Sequence, residues 1–221
     1  MDEQRITGIE PQKKNPNRVN VYLDHRFAFG LYKAVAFHLK IGDLLGEKEI
    51  HALQQEETSE DAYQHALKLL SYRPRSEHEV RTRLVENGFS NATIDAVIAT
   101  LMEKGYLNDQ QFALDWIENR STFRPRGKRL LRMELMKKHV DEGTIQSTLD
   151  ALPDEEQLIH AAARKYLSRL KGLDENGFKK KLYGFLMRRG FSYEDIKPVL
   201  SEMWEENARL NSKENEVLEN E

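Results

Sequence analysis

From residue 59 onward, apolar positions recur at the three- and four-residue steps of a helix face, and the arrangement returns every 51 residues. Residues 72–101 align with residues 123–152 without a gap. Eight of those thirty positions are identical: Arg73/Arg124, Pro74/Pro125, Arg75/Arg126, Arg81/Arg132, Leu84/Leu135, Thr93/Thr144, Ile94/Ile145 and Leu101/Leu152. A second step of 51 reaches a third copy, in which identities fade but apolar columns persist, as in Val80/Leu131/Leu182, Leu84/Leu135/Leu186 and Ile94/Ile145/Ile196. Each copy predicts three helices. The first covers about 59–71 in copy one, with Ala62, Ala66, Leu67 and Leu70 on one face, and its counterparts carry Ala113, Trp116 and Ile117, then Ala162, Tyr166, Leu167 and Leu170. The second, about 76–87, opens on a Ser76/Glu79 capping box and stops at Gly88 before the apolar Phe89. Gly190 and Phe191 repeat that stop in copy three; His139 takes the glycine's place in copy two, where the same geometry is mildly strained. The third helix starts after Ser90, Asp141 or Ser192, all good N-cap residues, and buries Ile94, Ile98 and Leu101. Pro74 and Pro125 lie in the loop before helix two and disfavour helix in the preceding arginine.

The amino-terminal part has a different rhythm. ITGIE, RVNVYLD and FAFGL are short runs rich in β-branched and aromatic residues, with KKNPN between the first two and Asp24-His25 as a tight turn between the second two. They predict a small antiparallel sheet, followed by a helix over 47–58 that leads into the first repeat. A three-helix unit of about 50 residues buries little apolar surface alone, so neighbouring copies should stack. The expected fold is therefore mainly α: three tandem three-helix, helix-turn-helix-like repeats of about 51 residues forming an elongated solenoid, preceded by a small antiparallel β segment. The expected divisions are 1–58 for the β-rich extension and connecting helix, 59–107, 108–153 and 154–208 for the repeats, and 209–221 for an acidic disordered tail.

Charge changes this picture more than composition does. The formal net charge is only −3, yet residues 120–139 hold eight Lys/Arg against the single Glu134, and residues 179–189 add five with no acid. Residues 42–61 and 202–221 carry seven acids each. A basic centre between acidic ends points to an anionic partner for the middle of the chain, with a merely solvated helix face as the alternative for any one run. The candidate contacts are Arg73, Arg75, Arg81 and Arg83 in copy one, Arg124, Arg126, Lys128, Arg129, Arg132, Lys137 and Lys138 in copy two, and Lys179, Lys180, Arg188 and Arg189 in copy three. Related positions on stacked modules would form a basic stripe facing phosphates or an acidic protein surface. Against that, Arg73 and Arg124 could cap carbonyls or pair with the many glutamates. Tyr72 and Phe123 could stack on bases, but an aromatic before a loop proline more often closes a module's core. Trp116 reads as core.

Catalytic chemistry finds little support. There is no cysteine, so no thiolate nucleophile, disulfide or Cys-based metal site is possible. The seven histidines, at 25, 38, 51, 65, 78, 139 and 160, form no local metal box. No G-x-G-x-x-G, Walker A or G-x-S-x-G pattern occurs. No enzyme activity, metal or cofactor is expected. The start of the chain lacks a signal pattern, and no stretch approaches the ~18 apolar residues of a membrane span, so a cytoplasmic protein without membrane contact is expected. Nothing suggests an obligate dimer, and a monomer is expected.

The segments SYRPRSEHEVRTRLVENGF, IATLMEKGYLNDQQFALDWIENR, PRGKRLLRMELMKKHV and FKKKLYGFLMRRGFSYEDIKPVL, in that order, resemble the RecX family of recombination regulators over roughly residues 59–203. ITGIE and NVYLDHRFAFGL resemble the amino-terminal extension of some members. The resemblance implies tandem three-helix repeats. It also implies binding to the RecA recombinase filament on single-stranded DNA, within its helical groove, with modulation, usually inhibition, of strand exchange, ATP hydrolysis and SOS co-protease activity in homologous recombination and DNA repair. It carries over no catalytic residue, and its basic positions fall on the RPR segments and the GKRLLRMELMKK helix. A direct DNA-binding module acting through trihelical repeats is the reading from another class.

Overall fold

The computed structural model describes residues 3–218, with side chains through Arg209. The chain divides into two compact units, residues 1–108 and 109–221.

In the first unit, β1 (Gln4–Pro11), β2 (Arg18–Leu23), β3 (Arg26–Tyr32) and the two-residue β4 (Leu44–Leu45) form an antiparallel sheet of order β3-β2-β1-β4. Leu23 pairs with Arg26 across Asp24 and His25, whose φ angles of 47° and 66° make the two-residue hairpin turn that matches strand twist. Alternation along β2 buries Val19, Val21 and Leu23, which pack with Ile6, Leu31, Leu45 and, from the next helices, Val35, Ala36 and Leu53. A short helix α1 (Lys33–Ala36) precedes β4.

Helix α2 (Glu47–Tyr72) is continuous through the division expected at 58/59, because residues 47–72 contain neither glycine nor proline to stop it. Its first half lays Leu53 on the sheet, and its second half buries Ala62 and Ala66 with Val80, Leu84, Ile94, Ile98 and Leu101 of α3 (Glu77–Glu86) and α4 (Asn91–Glu103). A polar latch fixes the sheet to this helix. The Tyr32 backbone N–H donates to Glu57 Oε2 at 2.6 Å, Arg18 reaches Glu57 at 2.5 Å, and the Tyr32 hydroxyl donates to Asp61 Oδ1 at 3.0 Å. Burial pushes the Glu57 carboxyl above the ordinary glutamate value, against the lowering effect of the Tyr32 N–H and Arg18. The Ser76/Glu79 capping box forms, Gly88 ends α3 at φ 86°, and Ser90 caps α4 through the Thr93 N–H.

The second unit holds α5 (Asp109–Phe123), α6 (Lys128–Met136), α7 (Glu142–Asp150), α8 (Glu155–Tyr166) with a 3-10 turn (Leu167–Arg169), α9 (Glu175–Arg188) and α10 (Tyr193–Leu218). The expected caps recur: Asp141 accepts from the Thr144 N–H and Ser192 from the Asp195 N–H. His139 stands at φ 55° where copies one and three place glycine. Phe112, Ala113, Ile117, Leu131, Leu135, Ile145 and Leu149 form one core; Ile159, Leu170, Phe178, Leu182, Leu186 and Ile196 belong to the next. The two repeats are sewn together at their loops. The Gly127 N–H donates to the Arg189 carbonyl at 2.9 Å, and a Cβ on Gly190, itself at φ 89°, would stand 2.4 Å from Leu130 Cβ. The Glu155 carboxylate receives the Lys128 backbone N–H on both oxygens at 3.2 Å, closing the start of α6. Helix α10 runs ten residues into the segment expected as a disordered tail, since residues 204–218 offer no glycine or proline stop; residues 219–221 lie outside the described residues.

Candidate functional site

The arginines of copy one are largely occupied within their own unit. Arg73 pairs with Glu79 at 3.0 Å and donates to the Pro74 carbonyl, and Arg75 caps the end of α2 through the Leu69 carbonyl at 3.1 Å. Arg81 is held between Glu77 and Asp95, each at 2.5 Å, and Arg83 meets Glu86 at 2.6 Å. For Arg73 the structure shows both halves of the alternative reading, a capped carbonyl and a glutamate pair, whereas the side chain of Arg124 forms no ion pair among the described residues.

Copies two and three build something else. Pro125 is buried and pins the RPR loop between α5 and α6. The bond from Gly127 to the Arg189 carbonyl brings the end of α9 to that loop. Arg120 and Arg126 thereby meet at one carboxylate, Glu134, and Arg124, Arg189, Arg188 and Arg169 extend the positive charge from Arg126 across the loop to the end of α9. Glu134 accepts from Arg120 Nε at 3.1 Å and from the Trp116 indole N–H at 2.8 Å, and its other oxygen takes Arg126. Burial first, then Arg120, Arg189 and Arg124, holds the Arg126 pKa below the ordinary guanidinium value; burial, then Arg124, Arg188 and Arg169, does the same to Arg189. Both remain cations at any physiological pH, so the cluster carries like-charge repulsion that an anion would relieve.

Aromatic rings set the arginines in place. The Arg120 guanidinium lies 4.4 Å from the Trp116 ring centre, with the Lys138 ammonium at 5.3 Å. Tyr166 and Phe185 stack at 3.9 Å with 5° between their planes, and Arg169 and Arg189 flank this pair at 5.9 and 4.8 Å. Trp116 packs against the second repeat's core, as expected, while remaining half-buried, and its indole N–H finds an acceptor in Glu134 at the rim. The expectation that Tyr72 and Phe123 close module cores is corrected: they are 70% and 73% exposed, because the prolines that follow turn the chain out of its helix at both places.

Among the other predicted contacts, Lys128 donates from Nζ to the Leu152 carbonyl, Arg132 is drawn to Glu142 and Gln146, and Lys179 pairs with Glu175 at 2.6 Å. Arg124, Arg129, Lys137, Lys180 and Arg188 are exposed and form no ion pair among the described residues. Sequence reasoning missed Arg120, Arg169 and the central role of Glu134. The available signal was an aromatic followed by arginine at helical spacing, Trp116 with Arg120 and Tyr166 with Arg169. Among the described residues no group of three or more His, Asp or Glu could hold a metal ion, and no helix is long and apolar enough to cross a membrane. The arrangement concentrates positive charge, part of it exposed and without an ion-pair partner among the described residues, on one side of the second unit's loops.

Four family profiles match along the chain: the regulatory protein RecX N-terminal domain at residues 4–45, and the first, second and third RecX three-helix domains at 62–101, 108–149 and 154–200. A regulatory protein RecX of Bacillus velezensis is 34% identical over 206 residues, covering 91% of this chain and 78% of the relative. The Bacillus subtilis RecX is 33% identical over 213 residues, covering 95% and 81%, and that of Clostridium tetani 32% over 205 residues, covering 90% and 94%. A crystal structure of a regulatory protein RecX superposes with a TM-score of 0.71 at 26% identity, covering 88% of this chain and 97% of that one. The RecX of Lactobacillus salivarius shares the fold at a TM-score of 0.58, covering 67% and 97%. With all three helical repeats and the amino-terminal sheet matched in order, this chain belongs to the RecX family of regulatory proteins.

Proposed function

We propose that this chain binds the RecA filament assembled on single-stranded DNA, within its helical groove, and restrains its recombinase, ATPase and co-protease activities during recombination and the SOS response, acting as a cytoplasmic monomer without catalysis of its own. The observation that carries the reading is the cluster of mutually repelling arginines where the RPR loop of copy two meets the end of α9, in a chain of this family. The exposed Arg124, Arg129 and Arg188 are suited to phosphates of the filament's strand or to an acidic recombinase surface.

A second reading, direct binding to naked single strands, is favoured by Phe123, exposed beside Arg124 where a base could stack. The ATP hydrolysis rate of a RecA filament on single-stranded DNA, at physiological salt and with the chain added substoichiometrically, separates the two. A marked fall, with little binding to naked DNA, supports filament modulation. An unchanged rate with tight naked-DNA binding overturns it, and that binding should collapse steeply between low and physiological salt.

A further inference from the structure

Opposite the buried Leu131 and Leu135, the outward positions of α6 are Arg129, Met133, Met136 and Lys137, which share one side of the helix. Opposite the buried Leu182 and Leu186, α9 presents Lys180, Met187 and Arg188 at the same repeat positions, with Gly184 in the place of Met133. Met133, Met136 and Met187 are 46%, 54% and 42% exposed. A helix face that meets only water is polar. These two are not, and they adjoin. The Gly127 N–H donates to the Arg189 carbonyl, and Gly190 packs against Leu130. Met187 stands three residues before that contact along α9, and Met133 three residues after it along α6, so each lies about one helical turn away.

Charge says what would cover these faces. Residues 128–138 hold five Lys/Arg against Glu134, and residues 175–189 hold five against Glu175. The acids that reach the two helices are engaged: Glu134 by Arg120 and Arg126, Glu142 by Arg132, Glu155 by the Lys128 N–H and Glu175 by Lys179. Arg129, Lys137, Lys180 and Arg188, beside the methionines, are exposed and form no ion pair among the described residues. A complementary surface is therefore acidic. Phosphates alone would satisfy the cations and leave the thioether side chains in water. An acidic protein segment with apolar side chains among its carboxylates matches both, and methionine, flexible and polarizable, adapts to such a partner. Copy one supplies the contrast. Val85 is 55% exposed at the place of Met136 and Met187, but His78 and Glu86 replace the cations, and Arg83 holds Glu86 at 2.6 Å.

We infer that the outward faces of α6 and α9 dock an acidic segment of a partner protein, with Met133, Met136 and Met187 packing on apolar side chains set among its carboxylates. The inference rests on the reading above in taking the recombinase as that partner, and it gives these two faces to protein rather than to the DNA strand. The test is the triple variant Met133→Gln, Met136→Gln and Met187→Gln in the full chain, which leaves every charge in place and keeps side-chain length and helix propensity. The far-UV spectrum and melting temperature should match the parent. The concentration giving half-inhibition of filament ATP hydrolysis should rise about tenfold or more, with binding to naked single-stranded DNA at low salt unchanged. Replacing the same three methionines by leucine, or Val85 by glutamine, should leave inhibition at the parent's level. If the glutamine triple melts below the parent, Met136→Gln alone takes its place in the same comparison. An unchanged half-inhibition concentration overturns the inference and leaves the proposed function standing. A parent chain that leaves the filament's rate untouched overturns both. A parallel loss of naked-DNA binding would make the methionines contacts to the strand, and a parent dimer that the variant dissociates would make the faces a self-interface; either outcome overturns the inference.

Discussion

Removing Glu134, the acid that joins Arg120 to Arg126, is the sharpest perturbation the structure offers. Glu134 is 14% exposed and faces Arg126 and Arg120, themselves 20% and 25% exposed, with the Trp116 N–H as a third donor. Breaking a fully buried pair by deleting one partner costs about 3–5 kcal/mol, and partial exposure brings the expectation for Glu134→Ala to about 2–3 kcal/mol. Spread over residues 109–221, that lowers the melting temperature by roughly 10 °C. Glu134→Gln keeps the shape and one acceptor and should fall between. The same deletion frees two guanidinium groups within a cluster that already repels itself, so the variant should bind anions more tightly than the parent. Inorganic phosphate added during thermal melting, followed by circular dichroism, tests both halves together. The alanine variant should melt early in low-ionic-strength buffer and recover much of the loss with phosphate, while the parent moves little. A melting temperature within about 2 °C of the parent, or equal phosphate responses in the two proteins, would refute the account of Glu134 as the cluster's internal counter-ion.

Two further outcomes test the packing and the latch. Gly190→Ala combines a left-handed backbone at φ 89° with a Cβ placed 2.4 Å from Leu130 Cβ, whereas Gly88→Ala meets open space at φ 86°; urea denaturation should show losses of about 2–4 and about 1–2 kcal/mol respectively, and equal losses would remove the close approach as a cause. Glu57 has a folded pKa raised above the ordinary 4.5 by burial, so its contribution to stability is full below that ordinary value and is lost as pH rises through the raised one. The melting temperature of the parent relative to Glu57→Gln should therefore become less favourable between about pH 4 and pH 7, and a difference independent of pH would contradict the buried latch.

The repeat was legible because each copy carries its own punctuation. Ser76 with Glu79, the N-caps Ser90, Asp141 and Ser192, and the stops at 88, 139 and 190 all sit where local backbone chemistry demands them. The Asp24-His25 turn was legible for the same reason. Three-dimensional convergence was not. Nothing local brings Arg169 and Arg189, twenty positions apart, onto the two faces of one aromatic pair; that depends on how α8 packs against α9. Nor does a local rule decide whether an aromatic before proline turns inward, and both Tyr72 and Phe123 turned out. The continuity of α2 through residue 58 could have been read from its lack of helix breakers, had the repeat boundary not suggested a joint.

The most informative comparison is between the first two copies, which share the RPR motif and put it to different use. Copy one balances its charge: residues 72–101 hold four arginines and four acids, and each of the four acids is an ion-pair partner of one of those arginines. Shifted by 51, those acids become non-acids. Glu77, Glu79, Glu86 and Asp95 correspond to Lys128, Leu130, Lys137 and Gln146, and residues 123–152 hold seven cations against four acids. The backbone plan is unchanged, with the same caps and the same buried columns, so the substitutions leave the fold's requirements alone. Their effect is to withdraw the local partners of the second copy's arginines. Copy two retains Glu134 for Arg126 and Glu142 for Arg132, and leaves Arg124 and Arg129 exposed. A repeat that needed its arginines only for stability would gain by keeping the acids of copy one. Their absence in copy two, where Arg188 and Arg189 of copy three add further positive charge, is the strongest support for the proposal that an anionic partner meets the junction of the second and third repeats.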